Sequence, residues 1–408
     1  MRFVILLIVL LTLSILSSSV FSQTAREHYN RGLQFVVADD HQQAINSFSS
    51  AIERLPDFLD AYFERGRSYV AISEKEKALG DFAEVILRDS TFKEAWFERG
   101  LIYMSEGERE PAYDDFSQVI GLDSTYVQAY LKKAEMLLQN GRKNEVLSNL
   151  DKAIELGHRN ANVFFLRGRL RLEEGEKEDA LSDFSLAVEL DPQLVELRME
   201  KGLLLFEMEA YEEAVENFTA AILAGEDKAD VFHFRGRALI YLERYHEAIE
   251  DFTMLINTYR WRNEGTFLYR GQSYLFAGET DNAISDLTRA ITYDRECEKA
   301  YFFRAKAHLE KENIEAAMAD LNKIIDLKIA DPDAYHLRGY LHLEADKPQL
   351  ALEDLNESIR MNPCAEAYFV RAKIKASLND TAGACEDLRL AAVSGHKEAA
   401  EMESRFCH

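Results

Sequence analysis

The sequence predicts an all-α fold of stacked helical hairpins, and three observations carry that reading. A small residue recurs at a nearly constant 34-residue interval through most of the chain. Apolar residues on either side of each recurrence fall at helical spacing. Only 6 prolines and 19 glycines interrupt 408 residues, far fewer breaks than a β-rich fold of this length requires.

The interval is marked by Gly32, Gly66, Gly100, Ala134, Gly168, Gly202, Gly236, Gly271, Ala305, Gly339 and Ala372. Four residues before most of them stands an aromatic, as in Tyr62, Trp96 and Phe164. Twelve residues after comes a small residue such as Ala78 or Ala180, and four further on Phe or Leu, as in Phe82 and Phe184. Two apolar stripes separated by a polar turn such as Ser73-Glu74-Lys75 make each unit a helical hairpin. The small residues let two helix backbones approach closely, and the aromatics fill the space between them. One hairpin cannot bury its apolar face alone, so the hairpins stack.

Every unit carries a basic residue just before the small one, from Arg31 to Arg371, and eight carry Asp just before the second-helix Phe or Leu. A stacked series of Arg–Asp pairs along the hairpin seams accounts for both rows.

The first residues form a separate unit. Arg2 is followed by an apolar run from Phe3 to Leu16, and Val20 and Ser22 suit a cleavage site before Gln23. This predicts a signal peptide over 1–22 and an exported mature chain, periplasmic or secreted. The run is shorter than the about 20 residues of a membrane span, so membrane association is expected only through complexes or an uncleaved N-terminal segment.

A net charge of −24 disfavours nucleic acid, which needs basic patches. No Gly-x-Ser-x-Gly, Gly-x4-Gly-Lys, His-Glu-x-x-His or Cys-x-x-Cys occurs. His308 and His342 occupy equivalent places in adjacent units but lack a third ligand. The expectation is no enzyme, no metal, no cofactor and no small-molecule substrate. Cys385 and Cys407 are a candidate disulfide, since a capping helix over Lys397 to Phe406 running antiparallel to the last repeat helix brings them close. Cys297 and Cys364 are expected to be free. Trp261, in a connection one residue longer than the rest, is expected to pack under its turn.

These spacings resemble the tetratricopeptide repeat over about residues 25 to 398. The resemblance implies a right-handed superhelical solenoid of about eleven hairpins with a C-terminal capping helix. The domains are then a signal peptide at 1–22, a solenoid at 23–395 and a cap at 396–408. Its units lie near 25–58, 59–92, 93–126, 127–160, 161–194, 195–228, 229–263, 264–297, 298–331, 332–364 and 365–395. The resemblance also implies a concave groove lined mainly by the first helix of each unit. That places Phe63, Phe97, Phe165, Phe302 and Phe369 on an apolar rail, with Arg67, Arg169, Arg237 and Lys306 beside it. Such a surface suits a protein or extended peptide. Some members of the family clamp a terminal carboxylate with Asn just after the small residue, and no unit here has Asn there. The expected function is an exported protein–protein interaction scaffold or adaptor. The alternative is a carbohydrate-binding solenoid of the cell envelope that uses the groove aromatics.

Overall fold

A computed structural model describes residues 22–139, 141–193, 195–225, 228–327 and 331–407. Apart from Ser22, the expected signal peptide lies outside the described residues. Among those residues the chain holds twenty-three helices and no strand, in eleven hairpins and a final single helix. Contacts divide the chain into two compact units, Met1–Leu190 and Asp191–His408. The division falls where α10 (Lys177–Leu190) ends and Pro192 follows.

The second hairpin shows the construction. Helices α3 (Leu59–Ala71) and α4 (Lys75–Arg88) pack so closely that a Cβ on Gly66 would lie 2.7 Å from Phe82 Cε1. Phe82 is fully buried there, as are Phe48, Phe116, Phe184, Phe218 and Phe252 in their own hairpins. Each such ring contributes on the order of 2–3 kcal/mol of burial. Stacking covers the other face: Val85 and Ile86 at the end of α4 meet Ala95 and Trp96 of α5 (Lys93–Glu106).

Every hairpin turns through one residue with positive φ, seven positions after the small residue. Four are glycines, Gly107, Gly141, Gly175 and Gly278, and the others are Asp39, Ser73, Glu209, Glu243, Glu312, Asp346 and Asn379. In the second hairpin Glu74 N–H donates to Tyr69 carbonyl and Ser73 N–H to Val70 carbonyl, closing the helix end with a left-handed cap. The fourth hairpin, α7 (Val127–Leu138) and α8 (Lys143–Glu155), keeps this geometry although Ala134 and Leu150 replace the usual Gly and Phe.

The array ends in α23 (Lys397–Phe406), whose Ala399 and Met402 pack on Phe369, Ala372, Leu388 and Ala391 of the last hairpin. The Cys385 and Cys407 sulfurs form a disulfide that ties this helix to α22 (Thr381–Val393). No helix among the described residues is long and apolar enough to cross a membrane.

Candidate functional site

Eight of the nine arginines in the row are consumed by the seams. Arg65 Nε and Nη2 donate to Asp81 Oδ2 and Oδ1 at 2.9 and 2.7 Å, and the same two-pronged pair recurs in eight hairpins, always 16 residues apart. The remaining Nη1 reaches the preceding hairpin: Arg65 to Ser49 at 3.1 Å, Arg338 to Asn322 at 2.8 Å, Arg371 to Asn356 at 2.7 Å. Lys133, whose hairpin lacks the Asp, keeps that link through Ser117 Oγ at 3.0 Å. Each of the eight guanidiniums also lies over the aromatic three residues earlier, as Arg99 does over Trp96 at 4.8 Å. The Asp115 hydrogen bonds raise the Arg99 pKa against the opposing effect of burial, so the cation is held by its partner. These eight arginines are structural cross-links.

The groove candidates fall into several different settings. Phe63, Phe97 and Phe165 are half-buried and tilt against the second-helix rings of their own hairpins, Phe82, Phe116 and Phe184, at 5.8, 5.7 and 5.7 Å. Phe63 and Phe97 also meet Phe92 and Tyr126 of the next hairpin, each at 5.1 Å. Arg67, Arg169 and Lys306 lie over Phe63, Phe165 and Phe302, and Arg67 sits 3.5 Å from Glu64 and 3.8 Å from Glu98. Phe369 departs from the groove expectation: it is only 4 % exposed, because His396 at the start of α23 packs on it at 4.1 Å. The cap that finishes the array also closes the rail.

Arg237 and Phe302 are brought to one cavity of about 540 Å³ within the Asp191–His408 unit. Its walls come from α13 (Ala229–Tyr241), α15 (Glu264–Phe276), α17 (Glu298–Glu310) and the starts of α14 (Tyr245–Asn257) and α19 (Pro332–Glu344). The Arg237 guanidinium carbon stands 5.0 Å from the Phe206 ring centre, 5.2 Å from Tyr269 and 5.7 Å from Phe234. Its Nε is buried and has no hydrogen-bond partner, and the same is true of His233 Nδ1 one turn earlier. Burial, reinforced by Arg237, pushes the His233 pKa down to about 4. Glu298 shows the opposite shift, pushed up to about 7 by burial and by its hydrogen bond to Asp331.

Sequence reasoning missed Tyr241, Tyr245, Tyr269, Phe276 and Phe303, which also line the cavity. Tyr241 and Phe276 share one repeat position, five residues after the small residue, and Tyr269 and Phe303 share another, two before it; neither position is aromatic in every unit, and the further signal was the density of rings between Phe232 and Phe303. Trp261 is half-buried, 5.3 Å from His233, and packs on the cluster containing Phe232, Phe252 and Leu255. Cys297 and Cys364 are free thiols at the N-cap positions of α17 and α21 (Ala365–Ser377), and Cys364 Sγ accepts from Ala367 N–H at 3.4 Å. His342 Nε2 lies 3.8 Å from Asp354, and no group of three or more metal-binding side chains gathers among the described residues.

Stacked two-helix units with this seam chemistry define a helical repeat protein of the solenoid class. A tetratricopeptide repeat model matches residues 29–94, 268–334 and 336–399, and a second model of the same repeat matches 93–126. Together they span more than half of the sequence, and the chain belongs to the tetratricopeptide repeat family. Proteins of this family are generally protein–protein interaction scaffolds and typically not enzymes. No curated protein sequence matches the chain. Among solved structures it is similar to YrrB, described as a TPR protein with an unusual peptide-binding site, at 27 % identity and a TM-score of 0.41, covering 48 % of this chain and 97 % of that one. The Cut9–Hcn1 hetero-tetramer of the APC/C matches at 15 % identity and a TM-score of 0.47, covering 96 % and 85 %. Yeast Tom70 matches at 14 % identity and a TM-score of 0.41, covering 94 % of each.

Proposed function

We propose that the chain is an exported scaffold that holds a segment of a partner protein against the first helices of its repeats. The observation that carries the reading is the division of labour among its charged and aromatic side chains. The repeated arginines are paired off in the seams, while rings and a cation that vary between units line an open cavity. Specificity then resides in what differs from unit to unit, as it does where aromatic anchors recognise a peptide. Export is supported by the apolar N-terminal run from Phe3 to Leu16 with small residues up to Ser22 and by the Cys385–Cys407 disulfide, a bond that persists in oxidising compartments.

Two measurements test this. Mass spectrometry of the protein recovered from outside the cytoplasm should find the N-terminus at Gln23; retention of residues 1–22 removes the case for cleavage. A photo-crosslinking amino acid at Tyr241, in the cavity wall, should capture a defined partner, while one at Leu87, an exposed second-helix residue, should not. Saturable glycan binding abolished by Phe97→Ala, with no protein captured, would instead favour the carbohydrate reading.

A further inference from the structure

We propose that the cavity around Arg237 anchors an extended partner segment carrying a carboxylate at one end, an apolar residue in the middle and a cation at the other. The carboxylate pairs with Arg237, and the cation inserts between Glu298 and Asp331. This inference rests on the scaffold reading and names the chemistry of its ligand.

Arg237 breaks the rule that the other buried arginines obey. Eight seam arginines each hold an aspartate with two hydrogen bonds. Arg237 has no carboxylate within ion-pair distance among the described residues, and its buried Nε donates to nothing. Phe206, Phe234 and Tyr269 surround the guanidinium. Their ring faces attract the charge by about 0.5–2 kcal/mol, but they do not accept in-plane N–H bonds as a carboxylate does. An unsatisfied buried donor costs about 1–3 kcal/mol, more when charged. A methionine would fill the same space without that cost. What arginine adds is a fork of donors held in place for an acceptor the chain does not supply.

The same cavity holds the complementary vacancy. Glu298 and Asp331 line the same cavity as Arg237, and burial together with the neighbouring Asp331 carboxylate raises the Glu298 pKa to about 7. Lys299 lines the same cavity but pairs with neither at ion-pair distance among the described residues. An ammonium or guanidinium from outside would relieve the repulsion between the two carboxylates.

The cavity lining also holds Tyr241, Tyr245, Tyr269, Phe276 and Phe302, with Gln272 its one side-chain amide among the described residues. Tyr241 is 58 % exposed although it stacks on Tyr211 at 4.4 Å, so its free face is available. A sugar site would set more amides around such rings. Apolar walls together with an unpaired cation and an acid pair that lacks an ion-pair partner among the described residues suit a short peptide with fixed direction.

The test uses the full mature chain and a synthetic array of fluorescein-labelled peptides. These carry Glu and Lys in either order, separated by one to three residues drawn from Leu, Phe, Tyr and Gly. Matched peptides carry Gln in place of Glu or of Lys. Fluorescence anisotropy should find saturable binding for one order with an aromatic or Leu spacer, weakened about tenfold when Glu becomes Gln. Arg237→Gln should remove that preference, and Glu298→Gln should remove the preference for Lys while leaving that for Glu intact. The comparison between peptides on the unmodified chain requires no variant to fold. Peptides that bind equally well with Glu or Gln overturn the proposal and leave the scaffold reading intact. Absence of binding across the array overturns it too, and if the Tyr241 crosslinker then also captures no protein, the scaffold reading falls with it.

Discussion

A Cβ placed on Gly168 would stand 2.7 Å from Cε1 of Phe184, so these two residues are matched in size across the fifth hairpin. The match holds along the chain: Phe faces only Gly, as in Gly32–Phe48 and Gly202–Phe218, whereas Ala134, Ala305 and Ala372 face Leu150, Leu321 and Leu388. Overpacking a filled interior costs about 1–3 kcal/mol. Gly168→Ala should therefore lower the urea midpoint and speed hydrogen exchange in α9 (Ala161–Glu173) and α10. Adding Phe184→Leu should recover part of that loss, because the smaller side chain makes room for the methyl. Simple additivity of the two changes, within about 0.5 kcal/mol, would show that the pair is not coupled.

The Arg99–Asp115 pair allows the seam to be tested without an overlapping partner. Asp115 is 2 % exposed and takes both hydrogen bonds from Arg99, at 2.8 and 2.7 Å. Arg99→Met strands a buried carboxylate, and breaking a buried pair in this way costs about 3–5 kcal/mol. Partial exposure of the arginine places the expected loss at the lower end of that range. The double variant Arg99→Met, Asp115→Leu removes both charges and should be more stable than Arg99→Met alone. Thermal unfolding of the two proteins decides it, and a double variant that melts lower than the single one refutes the account.

Protonation of His233 gives a pH dependence with a defined sign. Its neighbours are Arg237, which disfavours the imidazolium, Asp230, which favours it, and the rings of Phe252, Trp261 and Tyr269. Folding lowers its pKa from 6.5 to about 4. Above pH 6.5 the imidazole is neutral in both states and contributes nothing to the pH dependence. Between about 6.5 and 4 the unfolded chain binds a proton that the folded chain refuses, so stability falls as the pH falls. The limiting loss is on the order of 3 kcal/mol, at about 1.4 kcal/mol per pKa unit. Urea unfolding at pH 7.5 and pH 4.5 should show a smaller acid loss in His233→Phe than in the unmodified chain; equal losses would place the acid sensitivity elsewhere.

What was legible in the sequence is what recurs as the same residue type. Gly66 and Phe82 stand 16 residues apart in their hairpin, Gly168 and Phe184 in theirs, so close approach could be read directly. Arg65 and Asp81 announced their pair in the same way. The left-handed turn position recurs just as strictly, yet Glu312, Ser73 and Asn379 fill it alongside glycines. Backbone geometry repeats there and side-chain chemistry does not. The third arginine donor was hidden for a related reason: Ser49, Thr219, Asn322 and Asp151 share only an acceptor oxygen. Phe369 was misjudged because repeat geometry treats every unit as flanked by another, whereas the last is covered by α23. The cavity around Arg237 depends on rings from several repeat positions meeting in space, which no single column of the repeat contains.

Because α23 covers the exposed end of the array, the disulfide should stabilise that end and little else. Cys385 and Cys407 are 22 residues apart, a loop whose closure contributes about 3 kcal/mol in the chain-entropy account. Reduction, or Cys407→Ser, should let α23 detach and uncover Phe369, which His396 now shields. Hydrogen exchange should then accelerate in α21, α22 and α23, while α3 and α4 in the Met1–Leu190 unit keep their protection, since repeat stability is a nearest-neighbour property. A uniform loss of protection along the chain would mean that the cap supports the whole array and not its last hairpin. Unchanged exchange in α23 after reduction would mean that Ala399 and Met402 hold the helix without the covalent link.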